Sequence, residues 1–172
     1  LNPVIFLDKR KFKVQEEKNK TIYLSKEIKI KDFKKIIISW NIVTPVDSYV
    51  DIEARVLVNN NLKEKIWSKW LSWGRWGTNI KRASNSSNCT EAKINVDTLT
   101  INEGYIGEAI QIKISSYYDD KESKADLQLV VITYCGEKIN NKNGKEKLIN
   151  KLIETPCISQ MKREAEIANR IC

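Results

Sequence analysis

The 172-residue sequence contains no histidine. Histidine is the commonest general base and metal ligand near neutral pH, so these residues cannot supply a complete Cys-His or Ser-His catalytic set. The four cysteines, Cys89, Cys135, Cys157 and Cys172, lie 46, 22 and 15 positions apart with no C-x-x-C pair. That spacing argues against a structural zinc site, and nothing in the sequence calls for a metal or a cofactor. Four cysteines are also too sparse for a disulfide-held mini-domain in a chain long enough to build its own core, so free thiols are expected. Only 3 Pro and 6 Gly occur, which argues against a collagen-like, linker or disordered chain. No apolar run approaches the ~18–20 residues of a membrane-spanning helix. The first segment, LNPVIFLDKRKFK, has its apolar residues ahead of its charges, the reverse of a signal peptide, and there is no initiator Met; the chain is expected to have been cut at its start.

Apolar residues make up 41% and charged residues 30% of the sequence, a globular balance that fits one ordinary domain and a tail. The net charge of +8 raises nucleic acid as a partner. Residues 1–35 hold 11 Lys/Arg against 5 Asp/Glu, residues 36–137 hold 11 against 13, and residues 138–172 hold 8 against 4. The surplus therefore lies in lysine-rich flanks rather than on one designed surface, which argues against nucleic-acid binding.

The middle reads as successive strands. Apolar and polar residues alternate through Tyr49–Val56, which should turn Val50, Ile52, Ala54 and Val56 inward, and again through Ala109–Ser115, with Ile110, Ile112 and Ile114 on one face. Lys35–Trp40 and Leu127–Tyr134 are richer in β-branched residues and suit central strands. Shorter strands are expected at 22–24, 28–30, 66–72, 92–96 and 99–101, with turns at 59–61 and 84–88. This pattern predicts a mainly β, antiparallel sandwich of jelly-roll type. A short helical segment is expected at 145–153, ended by Thr155-Pro156. The domain reading is 1–35 as N-terminal strands or arm, 36–140 as the β-sandwich, and 141–172 as linker and a further, incomplete domain.

Four of the five tryptophans, Trp67, Trp70, Trp73 and Trp76, fall three residues apart in WSKWLSWGRWG. In one extended strand that interval puts successive rings on opposite faces, so some should be core and some exposed. Exposed members, with Arg75 beside them, could stack on sugar rings or nucleobases; the competing reading is that they knit the core together. Asp119, Asp120 and Glu122 are better placed as solvated charges at a hairpin tip than as a Ca²⁺ site. Cys135, ending an apolar strand, is expected to be buried, and Cys89, in a polar loop, to be exposed.

The terminal stretch Thr155-Pro156-Cys157-Ile158-Ser159-Gln160-Met161, followed by eleven residues to Cys172, resembles the opening of the catalytic domain in papain-like peptidases of the C-39-like family, related to bacteriocin-leader-processing enzymes. The resemblance implies that Gln160 is an oxyanion-hole donor and Cys172 the nucleophile. The twelve-residue interval between them is longer than in the leader-processing peptidases themselves. Residues 36–172 also resemble the accessory β-domain that precedes that catalytic domain, through Ile38-Ser39-Trp40-Asn41, Thr44-Pro45, the Val50–Val56 strand, the tryptophan-rich segment, Val96-Asp97-Thr98-Leu99 and the Ala109–Ile114 strand. The family's catalytic His and Asp or Asn follow the cysteine, and no residue follows Cys172 here.

Together these readings describe the accessory β-domain of a papain-like cysteine peptidase, inactive as these 172 residues stand. The expected partner is the peptide substrate of the parent enzyme or a cell-surface glycan, contacted through Trp67, Trp70, Trp73, Trp76 and Arg75. The alternative is a stand-alone carbohydrate-binding sandwich.

Overall fold

The computed structural model describes residues 4–60, 62–81 and 85–136, all within one compact unit, Leu1–Ile139. The expected helix at 145–153, Gln160, Cys157 and Cys172 lie outside the described residues. Twelve strands are present among them: β1 (Val4–Asp8), β2 (Phe12–Glu17), β3 (Lys20–Ser25), β4 (Ile28–Val43), β5 (Ser48–Asn60), β6 (Lys65–Trp67), β7 (Leu71–Trp76), β8 (Ser86–Asn88), β9 (Ala92–Asn95), β10 (Thr98–Ile101), β11 (Tyr105–Tyr118) and β12 (Asp126–Gly136). Every pairing is antiparallel. The only helical pieces among the described residues are 3-10 turns at Lys9–Lys11 and Lys121–Ser123, so no helix there could cross a membrane. The mainly β, antiparallel class read from the sequence is the observed one.

Alternation decides which side of each strand is wet. In β5, Val50, Ile52, Ala54, Val56 and Val58 are buried, and in β11, Ile110, Ile112 and Ile114 are. They share one core with Phe33, Ile36 and Ile38 of β4 and with Leu127, Val130 and Ile132 of β12. β5 and β11 pair along their whole lengths, and β12 pairs with β1 on one side and β4 on the other. The hydrogen-bonded system is nevertheless continuous, because the sixteen-residue β4 takes part in both groups. Its first part pairs with β11 and the rest with β12 and β10.

The crossover has a local cause. Asp32 takes a positive φ of 53°, a conformation Asp tolerates better than most residues, and β11 is irregular between Gly107 and Ala109. Directly opposite Gly107 stands Phe33, fully buried. A Cβ on Gly107 would lie 2.4 Å from the Phe33 ring. Glycine is needed here for close approach, since the phenyl ring fills the place of its side chain.

Two long strands are each paired along one edge by two successive strands, and a buried serine closes each join. Along β11, β4 pairs with 107–110 and β3 with 113–117; between them the Ile112 amide donates to Ser25 Oγ at 2.9 Å. Along β5, β7 pairs with 50–54 and β6 with 57–59; between them Val56 N donates to Ser68 Oγ at 3.0 Å, and Ser68 N donates to Val56 O at 2.8 Å. Each serine hydroxyl thus accepts where a ladder partner is missing, and donates onward to the carbonyl of Lys26 or Lys69.

Several sequence expectations change. The single strand expected at 66–72 is two strands, because the chain leaves the ladder at Ser68. The turn expected at 84–88 contains β8, which pairs with β9. Cys135 is exposed, because Val130 and Ile132 hold the inward parity of β12. Cys89 is half-buried rather than exposed: it packs against the core, its Sγ donates to Ala92 O at 3.3 Å, and burial pushes its thiol up. Asp119 and Asp120 are exposed as expected, Asp120 Oδ1 accepting from Glu122 N.

The Phe33–Gly107 contact predicts strong coupling. Phe33→Ala should cost about 3–5 kcal/mol and Gly107→Ala about 1–3 kcal/mol through overpacking. Because the smaller side chain vacates the space that the new methyl needs, the double variant should be more stable than the sum of the two losses implies. Urea unfolding of the four proteins checks this, and strict additivity would show that ring and glycine do not share that space.

Candidate functional site

The side of β5 opposite the core carries Tyr49, Asp51, Glu53, Arg55 and Leu57, all half-buried. Register sets their neighbours on β11: Tyr117, Ser115, Lys113, Gln111 and Ala109, respectively. Directly opposed side chains on one face are the closest pairs a sheet offers, and three of these five are bonded or stacked. The Tyr49 and Tyr117 rings stack with centroids 4.9 Å apart and planes 19° apart. Lys113 Nζ lies 2.7 Å from Glu53 Oε2. Arg55 Nε donates to Gln111 Oε1 at 2.9 Å, and Gln111 Nε2 donates to Ser25 O at 2.9 Å. The serine-closed joins of the sheet therefore lie beneath the middle of this face.

The tryptophan segment supplies the next column. Trp67 pairs with Leu57 and so falls on the outer face. The chain then leaves the ladder at Ser68, and Trp70 returns to the same face, so that the Arg55 guanidinium lies 4.7 Å from the Trp67 ring centroid and 5.0 Å from that of Trp70. Lys113 Nζ lies 4.5 Å from the Trp70 centroid. Beyond it, Arg75 donates from Nε to Asp51 Oδ1 at 3.1 Å, and its guanidinium covers the Tyr49 ring at 4.0 Å. The Asp51 bond raises the Arg75 pKa above its ordinary value. Lys20 Nζ, 5.3 Å from the Tyr117 centroid, closes that end.

Trp73 and Trp76 go elsewhere. The β5–β7 register shifts between Ile52 and Glu53, where Gly74 has φ 88°, a conformation natural to glycine. The extra residue resets the parity, so Trp73 and Trp76 share the inner side although three positions separate them. Trp73 is buried and donates from Nε1 to Asp97 O at 3.0 Å. Trp76 packs against the core and meets Trp40 edge to face at 6.2 Å. Of the sequence-derived ligand set, the outer face brings together Trp67, Trp70 and Arg75, whereas Trp73 and Trp76 belong with the core.

At the far end a half-open pocket of about 360 Å³ is lined by Glu27, Lys29, Lys31, Leu57, Lys65 and Glu108 among others. Lys65 Nζ lies 2.7 Å from Glu108 Oε2, and this bond holds the Glu108 carboxyl below its ordinary range. From Tyr49 to Leu57 the outer face runs about 27 Å along one strand, at ~3.4 Å per residue. It offers aromatic edges, cations and carboxylates in a row. Sequence reading missed Tyr49, Arg55, Lys113 and Tyr117; their signal was the polar half of the same alternation that marked the core. Among the described residues no group of three or more Cys, Asp or Glu side chains is placed to hold a metal ion.

The two tryptophan pairs should separate by stability. Trp73→Ala should cost about 3–5 kcal/mol, as loss of a buried aromatic does, while Trp70→Ala, a half-exposed ring, should cost less than half as much. Thermal or urea unfolding reads the difference, and equal losses would contradict the inside–outside division.

No curated protein matches the chain, and no solved structure does. The family model described as "Peptidase C39 N-terminal domain" matches residues 13–133. That span contains β3 to β11 entire, nearly all of β2 and most of β12, including every residue of the Tyr49–Leu57 face. The chain belongs to the Peptidase C39 N-terminal domain family.

Proposed function

We propose that the described β-domain is the accessory, ligand-binding domain of a papain-like cysteine peptidase, and that its outer β5–β11 face holds the peptide substrate. The family match over residues 13–133 carries this reading. In the same proposal, residues 36–140 form the accessory domain, with 1–35 contributing its N-terminal strands, and 141–172 are linker and the opening of the peptidase domain. Cys172 is the nucleophile that attacks the peptide carbonyl, and Gln160 donates to the oxygen that gathers negative charge. A papain-like cysteine is activated by an imidazole, and these 172 residues contain none. On this reading the base comes from outside them, and these residues alone hydrolyse no peptide bond.

A stand-alone carbohydrate-binding role has less behind it. Sugars stack on open aromatic faces, whereas Trp67, Trp70 and Tyr49 each have a cation over the ring.

The test is steady-state kinetics of the natural protein that carries these residues, on an unstructured peptide substrate and a small chromogenic ester. Trp70→Ala should raise KM for the peptide about 3- to 10-fold with kcat nearly unchanged, and leave ester hydrolysis alone, the signature of lost binding away from the reacting bond. Cys172→Ala should abolish both activities. Unchanged peptide kinetics in Trp70→Ala would remove the face from the mechanism, and full activity in Cys172→Ala would remove the nucleophile. Tryptophan fluorescence that shifts with cell-wall polysaccharides but not with peptide would favour the carbohydrate reading.

A further inference from the structure

We propose that the Arg55 guanidinium is a preformed carboxylate receptor, and that the outer face binds an extended acidic peptide which seats one Asp or Glu side chain upon it. This rests on the reading of that face as the binding surface and adds the chemical class of its ligand.

Arg55 is held before any ligand arrives. Its Nε is fixed by Gln111, itself tied to the Ser25 carbonyl, and its guanidinium carbon lies within about 5 Å of both the Trp67 and Trp70 ring centroids. Of its donors only Nε is used within the described residues, which leaves the two terminal amino groups for a carboxylate that bonds in two parallel N–H···O contacts. Immobilising a free arginine is part of the cost of binding, and here the fold has already met it.

Arg55 is also the odd member of a regular row. Arg75 has Asp51, Lys113 has Glu53 and Lys65 has Glu108. Arg55 stands opposite the neutral Gln111 and makes no ion pair among the described residues; its terminal amino groups have no acceptor there. The row alternates charge and leaves one carboxylate to be supplied from outside. On the face itself the cations Lys20, Arg55, Lys65, Arg75 and Lys113 outnumber the carboxylates Asp51, Glu53 and Glu108, which favours the approach of an anionic ligand. The straight run of about 27 Å along β5 suits roughly eight extended residues at ~3.4 Å each. A neutral sugar would have to displace the cations from the rings, whereas a carboxylate adds to the arrangement as it stands.

The experiment is fluorescence anisotropy of the 172-residue chain with two labelled decapeptides, (Glu-Ser)5 and (Gln-Ser)5, and competition by an oligogalacturonate, which carries its carboxylates on sugars. (Glu-Ser)5 should bind at least about 10-fold more tightly than (Gln-Ser)5, the discrimination of a charge-assisted pair. Arg55→Lys keeps the charge but loses the planar fork, and should weaken (Glu-Ser)5 about 10-fold. Lys121→Gln, a charge change away from this face, should alter it less than about 2-fold. Circular dichroism of Arg55→Lys checks that the sheet is intact, and the peptide comparison needs no variant. Equal binding of the two peptides, unchanged binding in Arg55→Lys, or tighter binding of oligogalacturonate than of (Glu-Ser)5 would overturn the proposal. If the peptides fail to discriminate while Trp70→Ala still raises KM in the natural protein, the ligand class falls and the face stands; if both fail, the face falls too.

Discussion

A phenyl ring seated in the place of a missing side chain sets the path of the longest strand. At Phe33, β4 stops pairing with β11 and goes on with β12, and the ring can lie over β11 there because residue 107 is glycine. Both partners lie on the inner side, where the groups on either side of the crossover share one core. Any Cβ at 107 would push the ring away and with it the strand that links the two groups. The positive φ of Asp32 and the irregularity after Gly107 are the backbone adjustments that such close approach requires.

The geometry of the outer face depends on two joins farther along β5 and β11. β4 begins at Ile28, opposite Ile110, and β3 occupies the β11 edge from Lys113 onward, so Ser25 fills the gap at Ile112, next to Gln111. The β5 edge repeats the device with Ser68 beneath Arg55. Arg55 thus lies next to both places where the sheet changes partner. Departure from the ladder at Ser68 also returns Trp70 to the side that Trp67 occupies, which brings both rings to Arg55.

The strands of the centre were legible from period-two alternation, which is strong wherever one face is dry. Val50–Val56 and Ile110–Ile114 announced themselves in this way. Parity across irregularities was not legible. A spacing of three put Trp73 and Trp76 on opposite faces only if β7 were regular, and the bulge at Gly74 reverses that. Cys135 misled because the apolar run through Val130, Val131 and Ile132 hid which member held the inward phase. The binding face was half legible: Trp67, Trp70 and Arg75 lie close in sequence, but Arg55, Lys113 and Tyr117 join them only through β5–β11 register, which depends on long-range pairing and leaves no local mark.

The serine joins bear on how the sheet opens. Val56 and Ile112 hold their amides through a single hydroxyl rather than a strand partner, so neither is protected by the cooperativity of a ladder. A small excursion of Ser25 or Ser68 can expose its amide to solvent while the strands on either side stay paired. Opening there would be local rather than global, giving a rigid sheet two fixed points of compliance, both directly below the groups that a ligand would touch.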